Sequence, residues 1–168
     1  MRIEVSIAAQ SLMLFDDAGE VLRRYAVSTA SNGAGEISGS YCTPRGAHLI
    51  RAKIGTGQPE NTVFVGRRPT GEIYSPVLGS EFPGRDWMLT RILWLSGCET
   101  GFNRGFNRGH NELGCIDTMR RYIYIHGSPD SATMGRPGSH GCIRMRNADV
   151  VELFELVPVY TPVFIGED

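Results

Sequence analysis

Ile3-Glu4-Val5-Ser6-Ile7, then Ser11-Leu12-Met13-Leu14-Phe15, the cluster Asp16-Asp17-Ala18-Gly19, and Val21-Leu22-Arg23-Arg24-Tyr25-Ala26-Val27 form the stretch on which the fold class turns. Ile3, Val5 and Ile7 alternate with Glu4 and Ser6, the period of two that sets one face of a strand against a core. The acidic cluster ends in glycine, a turn composition, so the runs on either side of it read as a hairpin and the whole stretch as a β-meander. Further along, short strand-like runs recur at Ala47–Ile54, Thr62–Val65, Arg91–Leu95, Tyr122–Ile125 and Tyr160–Ile165, separated by loops bearing Gly or Pro. The pattern predicts a mainly β chain with antiparallel pairing. A helix is expected over Ala148–Val157, with Asn147 as N-cap, Asp149 and Glu152 in the first turn, and Val150, Phe154 and Val157 on one face until Pro158 stops it. A weaker helical run, Glu112–Arg120, is interrupted by Gly114.

The chain has 168 residues, a length that one domain spanning 1–168 accommodates. Folding at this size removes roughly 68–70% of the unfolded surface from water, enough for a core without disulfides or a structural metal. Its 21 glycines follow no three-residue period, which excludes collagen. The 17 basic and 18 acidic residues give a net charge of −1, which offers no clustered field for a nucleic acid. No run of 18 apolar residues is present, so no membrane span is expected. Glu4 interrupts the apolar N-terminal stretch and no small-residue cleavage site follows, so it does not read as a secretory signal. Cys42, Cys98, Cys115 and Cys142 match no disulfide framework, and reduced thiols in a cytoplasmic setting are expected, or a periplasmic one if a leader has been removed.

Gly101-Phe102-Asn103-Arg104 repeats as Gly105-Phe106-Asn107-Arg108. Glycine and asparagine at half the positions suit an excursion with two exposed aromatics that closes over a ligand; the alternative is a surface loop whose phenylalanines enter the core.

The chemistry concentrates in Tyr122-Ile123-Tyr124-Ile125-His126-Gly127-Ser128 and in Gly135 to Met145, which contains Ser139-His140-Gly141-Cys142-Ile143-Arg144. A free thiol near pKa 8.5 is only a few per cent ionised at neutral pH and needs a base or a cation beside it. His126, sixteen positions before Cys142, and His140, two before it, are both able to serve by spacing. Gly141 permits close backbone approach, and the Gly141 and Cys142 amides are placed to hold an oxyanion. Arg144 and Arg146 suit a substrate carboxylate. Cys98 and Cys115 read as inert small apolar residues. A zinc site of His126, His140 and Cys142 lacks the usual spacings and a fourth ligand, so no metal and no cofactor are expected.

His126-Gly127 with Ser139-His140-Gly141-Cys142-Ile143-Arg144-Met145 resembles the signature of YkuD-type L,D-transpeptidase catalytic domains. Ile3 to Ile7, Gln10 to Phe15 and Val27-Ser28-Thr29 resemble the family's opening strands. Thr43-Pro44-Arg45-Gly46 resembles its Thr-Pro-x-Gly element, and Asn147 to Phe154 the helix after its nucleophile. The resemblance implies a mainly β, sandwich-like catalytic domain with one or two short helices. It also implies Cys142 as nucleophile, His126 as base, and His140 and Ser139 as supports of the nucleophile loop. Gly127 and Gly141 are carried over as catalytic positions, and Ser139, Arg144 and Tyr124 as substrate-binding ones, with Arg144 holding a carboxylate or buttressing the cleft. A backbone carbonyl is expected to orient His126, with Asp130 as the alternative. The implied substrates are peptidoglycan stem peptides or muropeptides, cleaved between a diamino acid and D-alanine through a thioester. Attack by water makes the enzyme an L,D-carboxypeptidase that trims tetrapeptides during wall recycling, the favoured reading; attack by an amine makes it a cross-linking transpeptidase. A non-catalytic peptidoglycan-binding module ranks well below both.

Overall fold

The opening meander forms as three antiparallel strands, β1 (Arg2–Ser6), β2 (Ser11–Phe15) and β3 (Val21–Ala26). The computed structural model describes residues 1–106 and 114–168. Among these follow β4 (Gly46–Ile54), β5 (Thr62–Val65), β6 (Arg68–Ile73), helix α1 (Pro76–Glu81), β7 (Met88–Gly97), β8 (Tyr124–Gly127), β9 (Ile143–Met145), helix α2 (Asn147–Leu156) and β10 (Pro162–Gly166). The ten strands make one curled sheet in the order β3-β2-β1-β10-β4-β7-β5-β6, with β8 on β7 and β9 on β8. The fold is therefore mainly β. Pairing departs from all-antiparallel in two places, because β10 runs parallel to β1 and β9 parallel to β8.

β7 is the hub, pairing with β4, β5 and β8. It bends at a bulge between Leu89 and Ile92, where Thr90 takes φ 71. Strand alternation buries Ile3, Val5, Leu12 and Leu14 from the meander, Val163 and Ile165 from β10, and Ile125 and Ile143 from β8 and β9 in one apolar core, which Val150, Leu153 and Phe154 join from one face of α2.

α2 begins one residue earlier than expected. Its N-cap is Arg146, which makes no side-chain cap bond, while Asn147 is the first helical residue and turns inward. Asn147 Oδ1 accepts from Thr90 Oγ1 (2.7 Å) and Nδ2 donates to Asn61 Oδ1 (2.8 Å), so its amide joins α2 to the β7 bulge instead of capping the helix. Glu152 lies beyond the first turn and binds Arg23 and Tyr25 on β3. The described part of the weaker helical run, 114–120, is irregular chain and turn, and its first two residues lie outside the described residues. Asn103, fully buried, donates to the Arg45 and Ala47 carbonyls and so anchors the first Gly-Phe-Asn-Arg unit, leaving Phe102 and Phe106 exposed. The unit's repeat from Asn107 onward lies outside the described residues. No helix among the described residues is long and apolar enough to cross a membrane.

Candidate active site

The parallel pair β8 and β9 has two unlike faces. In register, Ile125 faces Ile143 and His126 faces Arg144. Ile125, Ile143 and Met145 point into the core, so alternation sends Tyr124, His126, Cys142 and Arg144 to the opposite face. There Cys142 packs on a second apolar cluster of Phe64, Ile92 and Tyr124. The Tyr124 N–H donates to Cys142 Sγ (3.4 Å), and the thiol lies 3.5 Å from the Tyr122 carbonyl oxygen. Burial pushes the thiol up to about 12, and nearby Asp86 adds to the rise; the Tyr124 amide, Arg144 and Arg121 act in the opposite direction.

His126 is buried, and its Nδ1 lies 2.7 Å from the Gly127 carbonyl oxygen. A carbonyl only accepts, so Nδ1 carries the hydrogen and Nε2 presents its lone pair. Nε2 is buried without a hydrogen-bond partner among the described residues. Burial lowers the imidazole pKa, partly opposed by the Gly127 bond, and keeps the ring neutral. Gly127 has no room for a side chain: a Cβ there would lie 2.4 Å from Asn147 Oδ1 and 2.6 Å from the Leu89 carbonyl oxygen.

The loop before Cys142 is tied down from three directions. The hydroxyl of buried Ser139 donates to the Cys142 carbonyl and accepts from the Gly141 N–H (3.2 Å), which gives that amide a partner inside the loop. The Gly141 carbonyl accepts from Thr43 Oγ1 (3.0 Å), whose oxygen in turn accepts from the Ala30 N–H (3.0 Å). Gly141 takes φ 131 with the Cys42 carbonyl 3.2 Å from where a Cβ would stand, so only glycine passes this point without strain. Arg121 donates to the Cys42 (2.6 Å) and Gly35 (3.0 Å) carbonyls and holds the segment beneath.

Arg144 donates to Asp86 Oδ1 (2.8 Å) and to the Gly138 carbonyl (2.8 Å), so its charge has a partner already. His140 is exposed, with Nδ1 3.7 Å from Asp86 Oδ2 and its ring edge-on to Tyr41. Ser31, Asn32, Tyr41, Asp86, Ser139 and His140 border a cleft of about 560 Å³. Tyr124 is buried and its phenol accepts from Arg67 Nη1 (3.1 Å). Arg146 and Asp130 are exposed. Among the described residues no group of three or more His, Cys, Asp or Glu is arranged to hold a metal ion. The sequence motifs thus bring Cys142, His126, Tyr124 and Arg144 to one face and leave His140 exposed on the border of the cleft. Sequence reasoning missed Asp86, Asn61, Thr90 and Arg67, which carry no local pattern and reach the site from two loops, the bulge of β7 and a hairpin turn; Thr43 lay within a recognised element, but its bridging role is visible only in three dimensions.

Comparison with known proteins bears on the family and the fold. Residues 1–165 match the YkuD family, the L,D-transpeptidase catalytic domain. A 51-residue stretch is 48% identical to YqjB of Bacillus subtilis strain 168, provisionally named an L,D-transpeptidase, covering 30% of this chain and 29% of that protein. A 48-residue stretch is 50% identical to YbiS of Escherichia coli K12, similarly named, covering 28% of this chain and 16% of that protein. The matched stretches thus span less than a third of these relatives. Among solved structures, Bd1075 of Bdellovibrio bacteriovorus superposes with a TM-score of 0.59 at 15% identity, over 99% of this chain and 47% of that one. The catalytic domain of the Enterococcus faecium L,D-transpeptidase superposes at 0.51 and 21% identity, over 98% of this chain and 95% of that domain. The signature residues, the curled sheet and the family match together place this chain in the YkuD family of L,D-transpeptidase catalytic domains.

Proposed function

We propose that this chain is a cysteine acyl-transfer enzyme acting on peptidoglycan stem peptides, with Cys142 as nucleophile and His126 as base. The observation that carries the reading is the buried, neutral His126, whose Nδ1–H is spent on Gly127 and whose Nε2 is unpartnered on the face that bears Cys142. His126 Nε2 takes the thiol proton as Sγ adds to the carbonyl carbon of the diamino acid. Collapse of the tetrahedral intermediate breaks the C–N bond, and the proton passes from His126 to the departing D-alanine nitrogen, leaving a thioester. Water then adds with its proton going to Nε2, the C–S bond breaks, and the thiol is restored. Ser139, Thr43 and Gly141 serve by holding the loop in place, and Arg144 with Asp86 by buttressing it.

Water is the favoured acceptor in this proposal, in keeping with a cytoplasmic role in trimming tetrapeptides; a stem-peptide amine as acceptor, giving a cross-link, is the second reading. Incubation with a tetrapeptide stem, alone and with excess acceptor stem, followed by mass spectrometry, separates them. Tripeptide and free D-alanine in both mixtures are the expected products, and a dimer formed only with acceptor would transfer the assignment to cross-linking. Cys142→Ala is expected to release no D-alanine; release by that variant would remove Cys142 from the mechanism.

A further inference from the structure

A stem peptide ends in a carboxylate, yet the arginine beside the nucleophile loop is committed to Asp86. Arg85 and Arg45 are likewise paired, with Glu72 and Glu36. Arg67 differs. Its guanidinium has no carboxylate partner among the described residues and is partly exposed. It lies 4.5 Å above the Trp94 ring and 4.8 Å above the Tyr122 ring, and donates one N–H to the Tyr124 phenol.

Two features tie this group to the proposed chemistry. The first is Tyr124 itself, whose backbone N–H meets Cys142 Sγ while its phenol holds Arg67. One tyrosine side chain therefore separates sulfur from guanidinium. A substrate needs about 3–3.5 Å from nucleophile to carbonyl carbon, about 3.3–3.6 Å for the one residue beyond it, and about 2.9 Å from its carboxylate to a guanidinium nitrogen, a span of the same order. The second is backbone strain. β5 and β6 are joined by the two-residue turn Gly66-Arg67, with Val65 paired to Arg68 and φ of 55 and 64. Such turns favour glycine or asparagine in both positions. An arginine held in the left-handed region is a costly choice for a turn, and its side chain is what the site gains.

We propose that Arg67, carried on the Trp94–Tyr122 platform, binds the free C-terminal carboxylate of the residue that leaves, and so makes the site selective for stems ending one residue past the scissile amide. This rests on the acyl-transfer reading and gives it a specificity determinant. The guanidinium retains N–H groups beyond the one given to Tyr124, enough for a forked contact with a carboxylate.

The test compares a tetrapeptide stem with a free C-terminus against the same stem ending in a carboxamide, with D-alanine or D-alaninamide release followed by mass spectrometry. The wild-type protein is expected to prefer the carboxylate by about 10- to 100-fold in kcat/KM, the range of a hydrogen bond to a charged group. In Arg67→Gln the preference collapses toward unity, chiefly through KM, and Arg67→Lys retains part of it. Arg67→Gly, suited to the left-handed turn, gives the same collapse should the glutamine variant fold poorly. A preference that survives in both neutral variants, or wild-type turnover indifferent to the terminal group, overturns the role of Arg67 alone. No cleavage of either stem by the wild-type protein overturns the acyl-transfer reading and this one with it.

Discussion

At the scale of single residues, burial pushes the Cys142 thiol up and the His126 imidazole down, so both are neutral before substrate arrives. This differs from a preformed thiolate–imidazolium pair, in which the sulfur is reactive at rest. In the free protein, alkylation of Cys142 by iodoacetamide is expected to be slow at neutral pH and to keep rising through the alkaline range, since its thiol is raised to about 12. A Cys142→Ser variant supplies the background from Cys42, Cys98 and Cys115, and a plateau near neutrality would show an ion pair instead. His126 is depressed below its ordinary 6.5, so its imidazole is neutral at neutral pH, and under the proposed mechanism the acid limb of kcat/KM is expected below that value. The nucleophile motif was legible in the sequence because its members are neighbours in the chain. Arg67 and Asp86 were not, because a hairpin turn and a loop bring them in from residues with no periodicity of their own.

Among the elements, the join between β7, β8 and α2 is the tightest around the site. Gly127 sits against the Leu89 carbonyl and the Asn147 amide, and backbone on one side leaves an added methyl nowhere to go. Gly127→Ala is expected to cost about 1–3 kcal/mol in urea unfolding through overpacking, and to displace the carbonyl that orients His126. Asn147→Ala leaves the Thr90 hydroxyl and the Asn61 amide without their partner, a loss of about 1–3 kcal/mol; stability equal to wild type would show that water replaces them. The same join explains why the start of α2 was misread. Asn147 has an N-cap's composition, but tertiary bonds to β7 recruit its side chain. β6 escaped sequence reading for the opposite reason: Arg68–Ile73 contains Pro69 and Gly71, is mostly exposed, and is a strand only because the Gly66-Arg67 turn folds it onto β5. β8 starts two residues later than the apolar run suggests, since Tyr122 turns with φ 56.

For the molecule as a whole, two buried histidines link stability to pH. His48, between the Gly46 carbonyl and the Thr118 hydroxyl, is pulled down to about 4 by burial, and His126 moves in the same direction. In the unfolded chain both take up a proton near 6.5. Between that value and about 4 the unfolded state binds more protons, so stability is lost as pH falls through this window. The slope is up to about 1.4 kcal/mol per pH unit for each histidine. Urea midpoints measured across the window are expected to fall, and to fall less steeply in His48→Gln; an unchanged slope in that variant would assign the acid sensitivity elsewhere. Alternation made most of the strands readable, with β6 and the short β9 the exceptions. The two parallel pairings were not, since alternation reports which residues face the core and says nothing about the direction of a strand's neighbour.

β10 lies between β1 and β4, so among the described residues the meander made first and the hub made later share no direct ladder, and within the sheet β1 is joined to β4 through this strand. During synthesis, then, the N-terminal meander waits with β1 offering an open edge until β10 leaves the ribosome. A nascent chain stalled before Pro162 is expected to be digested by protease where one carrying an appended linker long enough to bring Gly166 out of the ribosome is resistant, so that the face bearing Cys142 is completed only once β10 has been made.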